Sequence, residues 1–171
     1  AYVTERNGFD GETRHDAGPV KPGVLWDSPE NEGFIRYVLG RRDAFTIVTV
    51  HGGYEWEERT RADMQAKYRR YVDMGADLVL AHHPHVLQGM ESWNGGLIAY
   101  SLGNFIFPGM TGWYTGEETG VLRLVLKDGA VDSWEFHPVR ISNTRLRLAE
   151  EDSGIDTRFE SLSRDLNGTG D

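Results

Sequence analysis

The 171-residue chain contains no cysteine. That absence excludes disulfides, thiolate metal sites and cysteine nucleophiles together, and it leaves the redox compartment open. No apolar run approaches the roughly 20 residues of a membrane-spanning helix. The first residues, Ala-Tyr-Val-Thr-Glu-Arg-Asn-Gly, carry neither the basic nor the apolar segment of a signal peptide. Basic residues are outnumbered, with 18 Lys and Arg against 27 Asp and Glu and a formal net charge of −9. Non-specific nucleic-acid binding rests on Lys and Arg neutralising phosphates, so a nucleic-acid partner is not expected. There is no internal repeat and no low-complexity tract. Five Trp, seven Tyr and seven Phe within 39% hydrophobic residues point to a folded protein that buries its own core in one domain.

Residues 1–27 are rich in Gly, Pro, Asp and Thr and read as a loop, apart from a strand remnant at 1–4. Ser28-Pro29-Glu30 reads as a helix start, with a capping hydroxyl, proline at the first helical position and an acid in the first turn. Phe34, Ile35, Val38 and Leu39 then share one face up to Gly40. Residues 45–50 form a β-branched run expected to be a buried strand. Thr60 with Asp63 resembles a capping box for a second helix carrying Met64, Tyr68, Tyr71 and Val72, which ends at Gly75. Strands are expected at 77–81 and 97–102, giving the helix-and-strand alternation of a parallel α/β sheet. Past Gly120 the pattern becomes a hairpin, 121–126 and 131–139, around Asp128-Gly129. A last amphipathic helix is expected at 155–166, followed by a frayed tail.

In an open α/β sheet, ligands bind beyond the carboxyl ends of the strands. Polar clusters fall at three such ends: His51-Gly-Gly-Tyr-Glu55, His82-His-Pro-His85 and Ser101-Leu-Gly-Asn104-Phe105. Neutral imidazole is a common metal ligand, so His51, His83 and His85 are the candidate metal ligands. His82 is ambiguous, because only one of two adjacent side chains normally enters a site. Glu55 reads equally well as a solvated loop acid, and Asn104 as a turn former. His15 in a polar loop and His137 between Trp134, Phe136 and the hairpin are read as structural. Asn167-Gly-Thr169 matches a glycosylation acceptor, a short pattern with little weight.

Three ordered motifs carry a family resemblance. They are His51-x-Gly53-x-Glu55, then Gly75-Ala76-Asp77-x-Val79-x-x-His82-His83-Pro84-His85-Val86-Leu87-Gln88-Gly89, then Tyr100-Ser101-Leu102-Gly103-Asn104-Phe105-x-Phe107. Together they resemble the poly-γ-glutamate capsule biosynthesis protein (CapA) family, which looks like a branch of the calcineurin-like metallophosphoesterases. The resemblance implies an α/β/β/α sandwich around two divalent ions. It places His51 and His83 on one ion and His85 on the other, with Glu55 and Asn104 as catalytic groups on the substrate side or behind the ligands. Imidazole with carboxylate suits Mn, Fe, Zn or Ni. The family usually has Trp after the first histidine; here it is Gly52, which alters the wall of the site.

The superfamily's acidic ligand motifs precede the matched region, and Asp10, Asp16 and Asp27 lack their context. Residues 1–150 are therefore expected to be the C-terminal part of a CapA-like metallophosphoesterase domain, with 151–171 a C-terminal helix and tail. The expected partner is the N-terminal half, on this or another chain, or a second copy in a homo-oligomer. The implied function is metal-dependent hydrolase chemistry in capsule or cell-envelope polymer biosynthesis, at the bacterial cell envelope or its extracellular face. The alternative is a non-catalytic structural or assembly subunit that keeps the fold with an incomplete metal site.

Overall fold

The computed structural model describes residues 2–4, 23–41, 43–107, 115–142 and 145–168. Asp10, His15, Asp16 and Thr169 lie outside the described residues. The elements in chain order are β1 (Tyr2–Thr4), β2 (Leu25–Trp26), α1 (Glu32–Leu39), β3 (Ile47–His51), α2 (Ala62–Met74), β4 (Leu78–His82), β5 (Met90–Trp93), β6 (Gly96–Ala99), β7 (Glu118–Lys127), β8 (Ala130–Ser142), β9 (Arg145–Leu148) and α3 (Ile155–Leu166). One sheet has six strands in the order β2-β1-β3-β4-β6-β5; a second has three in the order β7-β8-β9. In the larger sheet β2, β1, β3, β4 and β6 run parallel, and only β5 is antiparallel, paired to β6.

Strand alternation sorts the apolar side chains into two cores. Val48, Val50, Val79, Ala81, Ile98 and Tyr100 pack under the helices against Ile35, Leu39, Met64, Tyr68, Tyr71 and Val72. Leu78, Leu80, Leu97 and Ala99 face the other way, against Leu122, Leu124 and Phe136 of the second sheet and Ile155 and Phe159 of α3. Phe136 and Phe159 stack with ring centroids 3.8 Å apart. The result is a helix layer, a mainly parallel sheet and an antiparallel sheet. It is a mixed α/β architecture of metallophosphoesterase type, in which a sheet buried on both faces reads as continuous apolar runs.

Several boundaries differ from expectation for identifiable reasons. The strand expected from 45 begins at Ile47, because Thr46 bonds to Asp77 instead of to the ladder. The Thr46 amide donates to the Asp77 carboxylate at 2.7 Å, and the Thr46 carbonyl accepts from the amides of Asp77 and Leu78. The first helix begins at Glu32, not at Ser28, since Ser28 to Asn31 form a turn in which the Asn31 amide donates to the Ser28 carbonyl. Thr60 does not cap α2: Arg61 occupies the cap position, and the buried Thr60 hydroxyl has no partner. Asp63 accepts instead from the Tyr54 hydroxyl. The strand expected over 97–102 ends at Ala99, and β2, β5 and β9 are additional to those expected.

Asp27 is buried beside α2, not part of an open loop. It accepts from Tyr71, Lys67 and Arg70, and these donors outweigh burial to hold its carboxyl below the usual range.

Gly89 is where α3 comes closest to the sheet. A Cβ there would lie 2.5 Å from the backbone of Leu162 and Ser163, and the neighbouring Met90 amide donates to Ser163 Oγ at 2.9 Å. Neither partner is a flexible side-chain tip, so the helix itself must move. Gly89→Ala is expected to destabilise the fold by about 1–3 kcal/mol, read as a lower urea midpoint with an unchanged slope.

Candidate metal centre

The parallel register decides where the histidines go. His51 at the end of β3 pairs with His82 at the end of β4, and β6 ends on the same edge. His51 therefore leaves the sheet on the face that carries Ile47 and Thr49, away from α2. The two loops beyond the strands are tied together, the Gly52 amide donating to the His82 carbonyl and the Trp56 amide to the Pro84 carbonyl, each at 2.9 Å.

Within that knot the backbone adopts conformations that residues with a Cβ seldom take. His83 has φ 114°, His85 φ 62° and Trp56 φ 64°. Such values at three non-glycine positions in one loop pair cost on the order of 1–3 kcal/mol each and cluster at functional sites. Their effect here is to turn both odd-numbered imidazoles inward.

His83 Nδ1 lies 3.2 Å from His51 Nε2. Two imidazoles bound to one tetrahedral ion at about 2.1 Å would place their nitrogens about 3.4 Å apart. His83 Nε2 is 3.9 Å from the carboxylate of the exposed Glu55. One donor atom each from Glu55, His83 and His85 falls within 4.8 Å of the others. His82, although opposite His51 in the register, has an exposed side chain and is not among the converging donors. His137 stands apart on β8, 3.3 Å from Glu135.

Asn104 sets the tautomer of His85. Its side-chain NH₂ donates to the His85 carbonyl at 3.2 Å and to the Gly116 carbonyl at 3.0 Å, which turns Oδ1 toward His85 Nδ1 at 2.8 Å. Nδ1 then carries the proton and Nε2 keeps its lone pair, as a metal ligand requires. Gly103, at φ 78°, allows this approach: a Cβ there would lie 2.8 Å from the Glu118 carbonyl at the start of β7. Trp56 stacks on His85 at 5.5 Å and Phe107 meets it edge-on at 5.3 Å, so the ring is clamped on its apolar faces. Phe105, Ile106 and Phe107 stay largely exposed on the rim.

Buried Glu91 accepts from both Nε and Nη2 of Arg69 and from the Tyr100 hydroxyl, the last at 2.7 Å. That network joins α2, β5 and the residue preceding Ser101. Sequence reasoning did not single out Trp56, Gly116 or Glu91. A signal existed only for Trp56, which directly follows Glu55.

Residues 4–109 match the family described as bacterial capsule synthesis protein PGA_cap. This chain belongs to that family. The matched segment holds every residue of the histidine cluster and ends before Gly116. Among PGA_cap relatives, the chain is 33% identical over 149 residues to the PGA biosynthesis protein CapA of Bacillus subtilis, an alignment covering 85% of this chain and 38% of that protein. It is 34% identical over 95 residues to the capsule biosynthesis protein CapA of Bacillus anthracis, covering 56% and 23%. A probable polyglutamine synthesis accessory protein of Mycobacterium tuberculosis is 30% identical over 111 residues, covering 61% and 29%. The chain thus spans less than two-fifths of the length of these relatives.

Burial, reinforced by the nearby His85, lowers the pKa of His51 below 6.5. Between 6.5 and that lower value the unfolded chain binds a proton at this position and the native chain does not. The native state therefore loses stability as pH falls below 6.5. Imidazole NMR titration of the metal-free chain should find His51 neutral at pH 6.5; a midpoint above 6.5 would contradict the burial.

Proposed function

We propose that this chain supplies the histidine part of a divalent-metal centre in a protein of poly-γ-glutamate capsule biosynthesis. The observation that carries this reading is the meeting of His51 and His83 at 3.2 Å beside a His85 whose tautomer is set by Asn104. The names of the Bacillus relatives support poly-γ-glutamate as the polymer, and a capsule role supports action at the bacterial cell envelope. No helix among the described residues is long and apolar enough to cross a membrane.

The donor chemistry fits a borderline divalent ion such as Mn, Fe, Zn or Ni. His51, His83 and His85 would be the ligands, and Glu55 is the nearest carboxylate. A bound divalent ion there supplies Lewis-acid stabilisation of a developing oxyanion and makes water a competent nucleophile near neutral pH. The chain's own part is positional. Asn104 fixes the His85 ring, Trp56 and Phe107 exclude water from its faces, and the exposed Glu55 can accept a proton from, or orient, an incoming group. The reaction class is hydrolysis or transfer at a phosphoester or acyl centre of a polymer precursor.

Three neutral imidazoles and one exposed carboxylate do not offset two divalent charges. A dinuclear centre needs further acids, from the N-terminal half, from another chain or from a second copy of this one. The same shortage favours a second reading, an assembly subunit whose histidines bond to each other and to Asn104. Metal titration separates the two. The chain alone is expected to bind one Mn²⁺ or Zn²⁺ weakly by calorimetry, and His83→Ala to abolish the heat. Asn104→Ala should weaken binding about 10–100-fold by freeing the His85 ring. Wild-type protein that binds no metal, alone or with the complete relative's N-terminal half added, would leave the subunit reading standing.

A further inference from the structure

The second sheet carries a feature that the histidine centre does not use. Arg140 on β8 and Arg147 on β9 are direct cross-strand partners, so their side chains leave the same face of the sheet. Directly opposed residues stand about 4.5–5.5 Å apart at Cβ, and like charges in that position are destabilising. Neither arginine is fully neutralised. Arg140 is 3.7 Å from Glu118, but that carboxylate is held more closely by Arg158 at 3.2 Å. Arg147 is exposed and makes no ion pair with another described residue.

Both arginines line a cleft of about 250 Å³, with Ser142, Ser153, Leu148 and the exposed Glu150. The cleft is smaller than the roughly 300–1,000 Å³ of a site for a whole small molecule. It suits one or two acidic groups borne by something larger. Guanidinium forks match carboxylates two bonds at a time, and two serine hydroxyls add neutral donors. A protein of net charge −9 repels a polyanion over most of its surface, so any such partner needs a local positive foothold of this kind.

Both arginines also belong to a longer row. Glu118, Arg140 and Arg147 form one row across β7, β8 and β9. The row starts next to Gly116, whose carbonyl accepts from Asn104 behind His85.

We propose that the Arg140–Arg147 cleft binds the free pendant carboxylates of an extended anionic polymer and so holds it against the second sheet. The identity of the polymer rests on the capsule reading above; the site itself does not depend on metal. The test uses the full chain and a fluorescently labelled γ-linked glutamate decamer, with binding followed by anisotropy. Arg140→Gln with Arg147→Gln is expected to weaken binding at least 10-fold. Arg36→Gln with Arg123→Gln, an equal loss of charge at exposed positions elsewhere, should change it less than twofold. Arg147→Gln alone, at a side chain with no ion pair to lose, gives a several-fold loss and serves if the double variant does not fold. His83→Ala should leave decamer binding intact, so failure of the metal reading and failure of this one are separable. No binding by wild type, equal losses in the charge-matched control, or displacement of the decamer by inorganic phosphate at millimolar concentration would overturn the proposal.

Discussion

Everything at the histidine edge depends on the in-register parallel pairing of β3 with β4. With Val48 opposite Val79 and His51 opposite His82, the apolar side chains of both strands fall on the helix side together. A slip of one residue would bury Thr49 and His51 under α2 and expose Val48 and Val50, an exchange no polar network there could offset. The core thus enforces the register, and the register delivers His51 to the face and edge where His83 meets it. The meeting of the histidines is in this sense a by-product of packing Val48, Val50, Val79 and Ala81 correctly.

The strand ends alone do not make the site. They bring the loops together, and the positive φ values at Trp56, His83 and His85 then aim the rings. The carbonyls of His82 and Pro84 accept from the opposite loop, so the unusual backbone is held by bonds that a relaxed loop would lose. Strain of this kind is sustained only where the surroundings over-determine it. Pro84 contributes from within, because its ring also packs beside Gly53.

Much of this was legible in the sequence, and the limits are physical. A bounded β-branched run located β3 and short apolar runs located β4 and β6, and the polar clusters after these three strands named His51, Glu55, His83, His85 and Asn104 as candidates. The last helix was readable from its apolar spacing, and α3 has those bounds. What failed was the detail set by tertiary bonds. Thr46 was lost from a strand to Asp77, and Thr60 from a cap to burial. Two missed strands did leave signals: Asn94-Gly95, both at positive φ, is a hairpin turn between β5 and β6, and Arg-Leu-Arg-Leu alternates as β9 must. Nothing in the sequence announces that Asn104 reaches Gly116. That contact joins residues twelve apart in sequence and forms only once the start of the second sheet is brought against the loop after β6.

That contact gives the molecule an unusual division of labour. The ring of His85 lies in the loop after the parallel strand β4, while its proton is assigned through an Asn104 amide held by the His85 carbonyl and by that of Gly116, two residues before β7. The family match ends at residue 109, seven positions short of the carbonyl that anchors the amide. A fragment trimmed to the matched segment would keep each candidate ligand and Asn104, and lose one of the two carbonyls that orient the Asn104 amide. The segment that leads into the hairpin thus helps to hold the group that selects the free nitrogen of His85.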